Sequence, residues 1–228
     1  MTAASNAAPS TSLRFAQDGG VGTPPSEVTA SFLLALNDEQ ATVVEGVQKS
    51  LVEVRNGREG FGAGVIWQAD GIIVTNAHVI HRQSLHVALR DGRTLDARLI
   101  AYDQANDIAA LVTDATNLDA IDLGDSETLH PGQLVFALGH PWGVPRAATA
   151  GVVIGSGARL PESPRANREW VAVSLRLRPG NSGGPLVDAG GRLLGLNTMM
   201  TGPDFGMAVP THVVKKFMRE ALGTKEYV

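Results

Sequence analysis

From Ser50 onward, apolar positions fall in short β-branched runs broken by Gly, Asp and Asn, the spacing of strands in a sandwich or barrel. Residues 84–89 and 94–100 flank Arg90-Asp91-Gly92-Arg93, whose Asp-Gly pair predicts a hairpin. A second set of runs begins near Gly132 and continues through 150–155, 170–175, 185–187, 193–197 and 206–209. Thr211 to Leu222 then changes to helical spacing and predicts an amphipathic closing helix. Ahead of the first run, Asn37-Asp38-Glu39-Gln40 supplies capping residues for a short helix over Ala41 to Val47. Residues 1–36 read as an N-terminal extension in which Gly19 to Pro25 has the composition of a linker.

Length and charge narrow the function. A chain of 228 residues can bury a sizeable core. Its net charge of −4 and scattered basic residues predict no nucleic-acid partner; Lys215-Lys216 with Arg219 reads as the solvated face of a helix. With no cysteine there is no disulfide, no thiol catalysis and no cysteine-bound zinc. No apolar run approaches the roughly 18 to 20 residues of a membrane span. Met1 to Ser10 lacks the basic start and apolar core of an export signal. As written the chain reads as cytoplasmic, or as periplasmic or extracellular if an export signal was removed.

The candidate chemistry centres on Arg178-Pro179-Gly180-Asn181-Ser182-Gly183-Gly184-Pro185, a serine in a glycine-rich turn leading into an apolar strand. A serine hydroxyl needs a base to take its proton and donors to hold the oxyanion that forms. Glycine at 180 lets the turn aim the amides of Gly180 and Ser182 into one pocket, so Gly180, Asn181 and Ser182 are the candidate oxyanion hole. The base candidate is His78, at the end of the run Gly71 to Ile80, and its orienting acid is Asp107, directly before Ile108 to Val112. The chain order His78, Asp107, Ser182 is that of chymotrypsin-like enzymes. His78, His81 and His86 give no zinc set, because on a strand the first two face opposite sides and no carboxylate pattern accompanies them. No metal and no cofactor are expected.

Taken as a set, Val43 to Val47, Ser50 to Val54, Gly62 to Ile66, Thr75 to Ile80, Asn106 to Ala109, Pro179 to Pro185 and Gly195 to Thr198 resemble the protease domain of the HtrA (DegP-like) family of trypsin-like serine peptidases. The resemblance runs from about residue 41 to about residue 220. It implies an all-β fold of two six-stranded antiparallel β-barrels, with a short N-terminal helix and a C-terminal helix. The first barrel would cover about 50–125 and the second about 130–210, within a domain of 37–228 closed by the helix at 211–222. His78 and Asp107 would face Ser182 across the cleft between them. The function implied is a serine endopeptidase cutting unfolded or misfolded proteins through an acyl-enzyme. The alternative is a catalytically latent trypsin-fold scaffold that binds peptides as a chaperone does.

The resemblance also places the pocket for the residue before the cut near 175–178, 196–199 and 205–207, giving Arg176, Leu196, Asn197, Thr198, Met199, Phe205 and Met207 as substrate-binding candidates. The apolar members favour an aliphatic side chain. Arg176 either points into the pocket and selects an acidic residue, or points outward into solvent. Where the family has Asn-Pro-Phe-Gly, this chain has His140-Pro141-Trp142-Gly143, opening a loop that can switch such enzymes between states. Trp142 is either a packing anchor of that loop or a surface aromatic. Phe15, Phe32, Leu33 and Leu34 in the extension either pack on their own domain or, as the resemblance implies, help hold a homotrimer. Full-length family members carry PDZ domains after the closing helix. This chain stops at Val228, so it is either a protease domain cut from a longer protein or a member without them.

Overall fold

A computed structural model describes residues 27–57, 60–81, 84–158, 160, 168–202 and 204–223. Phe15, the linker composition at 19–25 and the terminal segment 224–228 lie outside the described residues. Contacts along the chain group 37–228 as one unit and 1–36 as another.

Twelve strands form two closed antiparallel barrels. The first comprises β1 (Leu51–Asn56), β2 (Gly60–Gln68), β3 (Ile72–Thr75), β4 (Leu85–Ala88), β5 (Thr94–Asp103) and β6 (Ile108–Thr113). The second comprises β7 (Leu134–Gly139), β8 (Ala147–Gly157), β9 (Trp170–Val173), β10 (Pro185–Asp188), β11 (Leu193–Gly202) and β12 (Phe205–Pro210). Around the first the order is β1-β2-β3-β6-β5-β4, and adding six to each number gives the ring of the second. The first barrel closes by pairing β1 with β4 and the second by pairing β7 with β10. Closure removes the exposed edges that open sheets leave.

Strand periodicity explains why several runs are apolar at every position. On β7, Val135 and Ala137 face the interior of the second barrel, whereas Phe136 and Leu138 join a cluster shared by both barrels. On β3, Ile73 points into the first barrel while Ile72 and Val74 point to that shared cluster. Alternate side chains leave opposite faces of a strand, and here both faces are covered. The cleft that holds the candidate site is therefore walled by two packed cores. Truncating a wholly buried side chain of the shared layer, such as Leu138, is expected to cost about 2–5 kcal/mol.

The C-terminal helix, α2 (Thr211–Leu222), lays Val214, Phe217 and Met218 on the shared layer and ends at Gly223 in the left-handed region. The N-terminal helix, α1 (Glu27–Val47), is present but begins well before Ala41. Ala30, Leu33, Leu34, Ala35 and Leu36 are good helix formers, and they carry the helix through Asn37 to Gln40, so those residues lie in its middle and cap nothing. The Thr42 hydroxyl donates to the Asp38 carbonyl at 2.9 Å, a bond made within a continuous helix. Among the described residues no helix is long and apolar enough to cross a membrane.

Candidate active site

His78 does not sit on a strand. β3 ends at Thr75, and Ala77–Val79 form one turn of 3-10 helix that turns the imidazole out of the sheet while Ala77 and Val79 remain buried. His78 and His81 therefore do not alternate across a strand, contrary to the expectation from sequence. Among the described residues no three His, Asp or Glu side chains gather as a metal set.

Asp107 stands directly before β6 with φ 59°, in the left-handed region that aspartate tolerates better than most residues. That backbone turns its carboxylate back toward His78. Nδ1 of His78 lies 2.9 Å from both carboxylate oxygens, and the His78 amide donates to Oδ1 at 3.0 Å. Thr198 donates its hydroxyl to Oδ2 at 2.6 Å. Burial pushes the Asp107 carboxyl up, but the hydrogen bonds from His78 and Thr198 outweigh it and hold the group below the usual carboxylate range. An ionised Asp107 accepts the Nδ1 proton and leaves Nε2 free to act as a base. The carboxylate is nearly covered, whereas the imidazole is about half exposed, at 9% and 48%.

Ser182 approaches from the second barrel. Its carbonyl accepts from the Ala63 amide of β2 at 2.8 Å, which ties the turn to the first barrel. Its hydroxyl donates to the Thr198 carbonyl at 3.1 Å and not to His78. The turn itself is closed by Asn181, whose side chain accepts from the Arg178 amide at 2.9 Å and whose own amide donates to the Arg178 carbonyl at 2.8 Å. Gly180 has φ 100°, and a β-carbon there would collide with the His140 carbonyl. Gly183, at φ 82°, is held as tightly: a β-carbon would strike the Ala63 carbonyl and the Thr75 hydroxyl. Among the described residues the amides of Gly180 and Ser182 find no acceptor, while those of Asn181, Gly183 and Gly184 are all taken. Two open amides beside a serine hydroxyl are the donor pattern an oxyanion requires.

Residues 62–196 match the family model of the trypsin-like peptidase domain. The chain belongs to the trypsin-like peptidase family. Within it, the chain is 35% identical over 189 residues to a probable periplasmic DegP-like serine endoprotease of Halomonas elongata, covering 82% of this chain and 38% of that protein. It is 38% identical over 166 residues to the chloroplastic Protease Do-like 1 of Arabidopsis thaliana, covering 68% of this chain and 38% of that protein. Among solved structures, the HtrA-type protease AlgW with a tripeptide superposes with a TM-score of 0.74 at 32% identity, over 79% of this chain and 62% of that one. A serine endoprotease from Yersinia pestis gives 0.72 at 33% identity, over 80% and 66%. The chain thus spans about two-fifths of the length of the curated relatives it matches.

For a trypsin-like peptidase the remaining candidates divide sharply. Leu196 and Met207 are wholly buried in the layer between the barrels. Asn197 is wholly buried too, and its side chain donates to the Pro185 and Leu138 carbonyls at 2.9 and 3.2 Å. Thr198 spends its hydroxyl on Asp107 and its carbonyl on Ser182. Met199 and Phe205 are partly exposed, and Met199 lines a 330 Å³ cavity with His78, Asp107, Tyr102, Gln104 and Arg168. Arg176 points outward: its Nε donates to Asp204 at 2.7 Å, with both side chains more than half exposed. A larger cavity of 720 Å³, lined by Trp67, Asp122, His212 and Lys215, contains none of the candidate catalytic residues.

Two residues at the site had no role assigned from sequence. Asn76 is wholly buried; its amide group donates to the Asp107 carbonyl at 2.9 Å and its oxygen accepts from the Gly183 amide at 2.7 Å. A lone asparagine at the end of an apolar β-branched run was the available signal. Arg168 is buried with its guanidinium 4.0 Å over the Trp170 ring and donates to the Asn106 carbonyl, steadying the turn before Asp107.

Proposed function

We propose that this chain is a serine endopeptidase of HtrA type, with residues 37–228 as its protease domain and 1–36 as an extension. Ser182 attacks the scissile carbonyl. His78 accepts its proton and returns it to the leaving amine, Asp107 stabilises the imidazolium, and the amides of Gly180 and Ser182 hold the oxyanion. Water activated on His78 then hydrolyses the acyl-enzyme. The observations that support this reading are the His78 pairing with a carboxylate held in its ionised range and the two amides beside Ser182 that are unengaged among the described residues. Attack requires the hydroxyl to leave the Thr198 carbonyl for Nε2 of His78. The resting position of that hydroxyl is what favours the second reading, a latent peptide-binding scaffold.

Its substrates are unfolded or misfolded protein segments, with an apolar side chain before the cut facing Met199 and Phe205. A peptide library cleaved mainly after Asp or Glu would overturn that preference. The exposed Val28, Phe32, Leu33 and Leu34 of α1 support assembly as a homotrimer, and sedimentation with and without residues 1–36 tests it. A fluorophosphonate probe should label the chain, Ser182→Ala should abolish labelling, and casein should be cut. An unlabelled wild-type chain that leaves casein intact would establish the latent scaffold instead.

A further inference from the structure

A cavity of 260 Å³ that contains none of the candidate catalytic residues lies between β1, the turn after β4 and the loop that joins β7 to β8. Arg55 on β1, Arg90 in the turn and Arg146 just before β8 line it, together with His140 and a single carboxylate, Glu53. In a chain whose net charge is −4, three guanidinium groups around one small cavity run against the overall balance. A cleft lined by one sign of charge focuses its field and concentrates ions of the other sign.

Two of the three arginines have a carboxylate to face. Arg55 donates to Glu53 through Nε and Nη2 at 3.0 and 2.8 Å, and Arg90 reaches the exposed Glu45 of α1 at 3.3 Å. Arg146 has none. Among the described residues its guanidinium makes one hydrogen bond, from Nη1 to the Arg90 carbonyl at 3.3 Å. Its backbone is nevertheless fixed on both sides: the amide donates to Nδ1 of His140 at 3.3 Å, and the carbonyl accepts from the Gln48 side chain at 2.9 Å. At φ 55° Arg146 also occupies the left-handed region, where a long side chain is uncommon. Burial of its loop neighbours does not account for that course, since Trp142 and Val144 are exposed. Strain held at a residue whose charge has no partner points to a ligand rather than to stability. His140 adds no charge, because burial holds its imidazole below the ordinary value against Glu53 and the Val52 backbone. With Nδ1 accepting, Nε2 carries the proton, and it meets the Val52 backbone only outside normal hydrogen-bond geometry.

We propose that this cavity binds a small phosphate dianion, free or as a small monoester, with Arg146 as the principal ligand and Arg55 and Arg90 beside it. The guanidinium fork matches phosphate oxygens two at a time. A carboxylate offers one charge and two oxygens in a plane, enough for a single fork. A phosphate monoester carries about −1.5 to −2 charges near neutral pH and three free oxygens, enough to engage more than one arginine. The volume lies below the roughly 300–1,000 Å³ of pockets for larger organic ligands, so the occupant is small. The site stands apart from Ser182 and does not rest on the protease reading.

The test titrates inorganic phosphate into the full chain by calorimetry at constant pH and ionic strength. Binding should saturate at one phosphate per chain and raise the melting temperature. Arg146→Gln should weaken it by about tenfold or more, the worth of a lost hydrogen bond to a charged group. Arg55→Gln should also weaken it. Arg146→Lys should keep part of the affinity, because the charge remains while the fork is lost. Arg98→Gln, on β5 and outside the cavity, should bind as the wild type does, and so should Ser182→Ala. Glycerol 3-phosphate binding more tightly than phosphate would identify a monoester as the ligand, and weaker binding would identify free phosphate. Acetate at equal concentration should not displace either. Should Arg146→Gln not fold, Arg146→Lys and Arg55→Gln carry the comparison. A wild-type chain that binds no phosphate at millimolar concentration, equal affinities in the Arg55, Arg146 and Arg98 variants, or displacement by acetate would overturn the site. So would a wild-type chain that ignores phosphate but sediments as a larger species than Arg146→Gln, which would give the cavity to an acidic side chain of a second copy.

Discussion

Asn76 and Gly183, on different barrels, are joined by a 2.7 Å hydrogen bond from the Gly183 amide to the Asn76 side-chain oxygen. The same side chain donates to the Asp107 carbonyl at 2.9 Å. One buried amide thus fixes the backbone after the candidate nucleophile relative to the backbone of the candidate acid. Asn76→Ala leaves the Asp107 carbonyl without that bond and removes one acceptor of the Gly183 amide, at an expected cost of about 2–4 kcal/mol. Asn76→Asp keeps an acceptor for Gly183 but turns an oxygen toward the Asp107 carbonyl, so it should be at least as harmful. Urea unfolding of the three proteins measures this; a cost within experimental error for both variants would remove Asn76 from the account.

Thr198 reaches Asp107 with its hydroxyl, and that bond is one of those that, with the His78 ring and amide, hold the carboxyl down against burial. A carboxyl lowered in the folded state contributes stability above its unfolded value of about 3.9 and loses it as pH falls through the folded value. Thr198→Val removes one of the opposing bonds, so burial weighs more and the folded value rises. The variant should lose about 1.5–3 kcal/mol at neutral pH, the worth of a hydrogen bond to a charged group. Its acid-unfolding midpoint should move to higher pH. An unmoved midpoint would show that His78 alone sets the ionisation of Asp107.

What could be read in the chain was what depends on local pattern. The strand runs, the Asp-Gly hairpin, the limits of α2 and the glycine turn around Ser182 are local, and they appear where the sequence puts them. The long α1 was missed because Asn37 to Gln40 looks like a cap in isolation, and only the helix formers ahead of it decide otherwise. The harder errors concern direction. Leu196, Asn197, Thr198 and Met207 are buried on β11 and β12, and β11 shifts register against β12 between Asn197 and Met199 and between Met200 and Gly202. No local pattern reports such a shift, so residues near the pocket in sequence turned out to belong to the core or to Asp107. Asn76 illustrates the same limit, since its two partners lie 31 and 107 residues away.

Arg176 should not set specificity. Its guanidinium is engaged with Asp204 on an exposed surface, and an exposed pair contributes at most about 1 kcal/mol. Arg176→Ala should therefore leave the unfolding free energy nearly unchanged and the order of preferred residues before the cut unaltered. Profiling both proteins on one peptide library checks it. A new or lost preference for acidic residues would place the guanidinium in the pocket during turnover.

His140 is the buried histidine of the second barrel, and its state follows from its contacts. The Arg146 amide donates to its Nδ1 at 3.3 Å, so that nitrogen is an acceptor and the ring is neutral. Burial pushes the imidazole below the ordinary histidine value; the Glu53 carboxylate and the Val52 backbone pull the other way, and Arg146 and Arg55 push with burial. A histidine lowered on folding takes up its proton first in the unfolded chain. Its contribution to stability is whole above the unfolded value of about 6.5 and is lost as pH falls from there through the folded value. His140→Gln cannot titrate. It should be less stable than the wild type at pH 8, because it fills the site less well, but its stability should fall less between pH 7 and about pH 5. Parallel urea titrations across that interval give the difference directly, above the range in which Glu53, itself held down in part by His140, titrates. Parallel slopes would mean that the ring gains its proton at the same pH folded and unfolded, against its burial and the Arg146 bond.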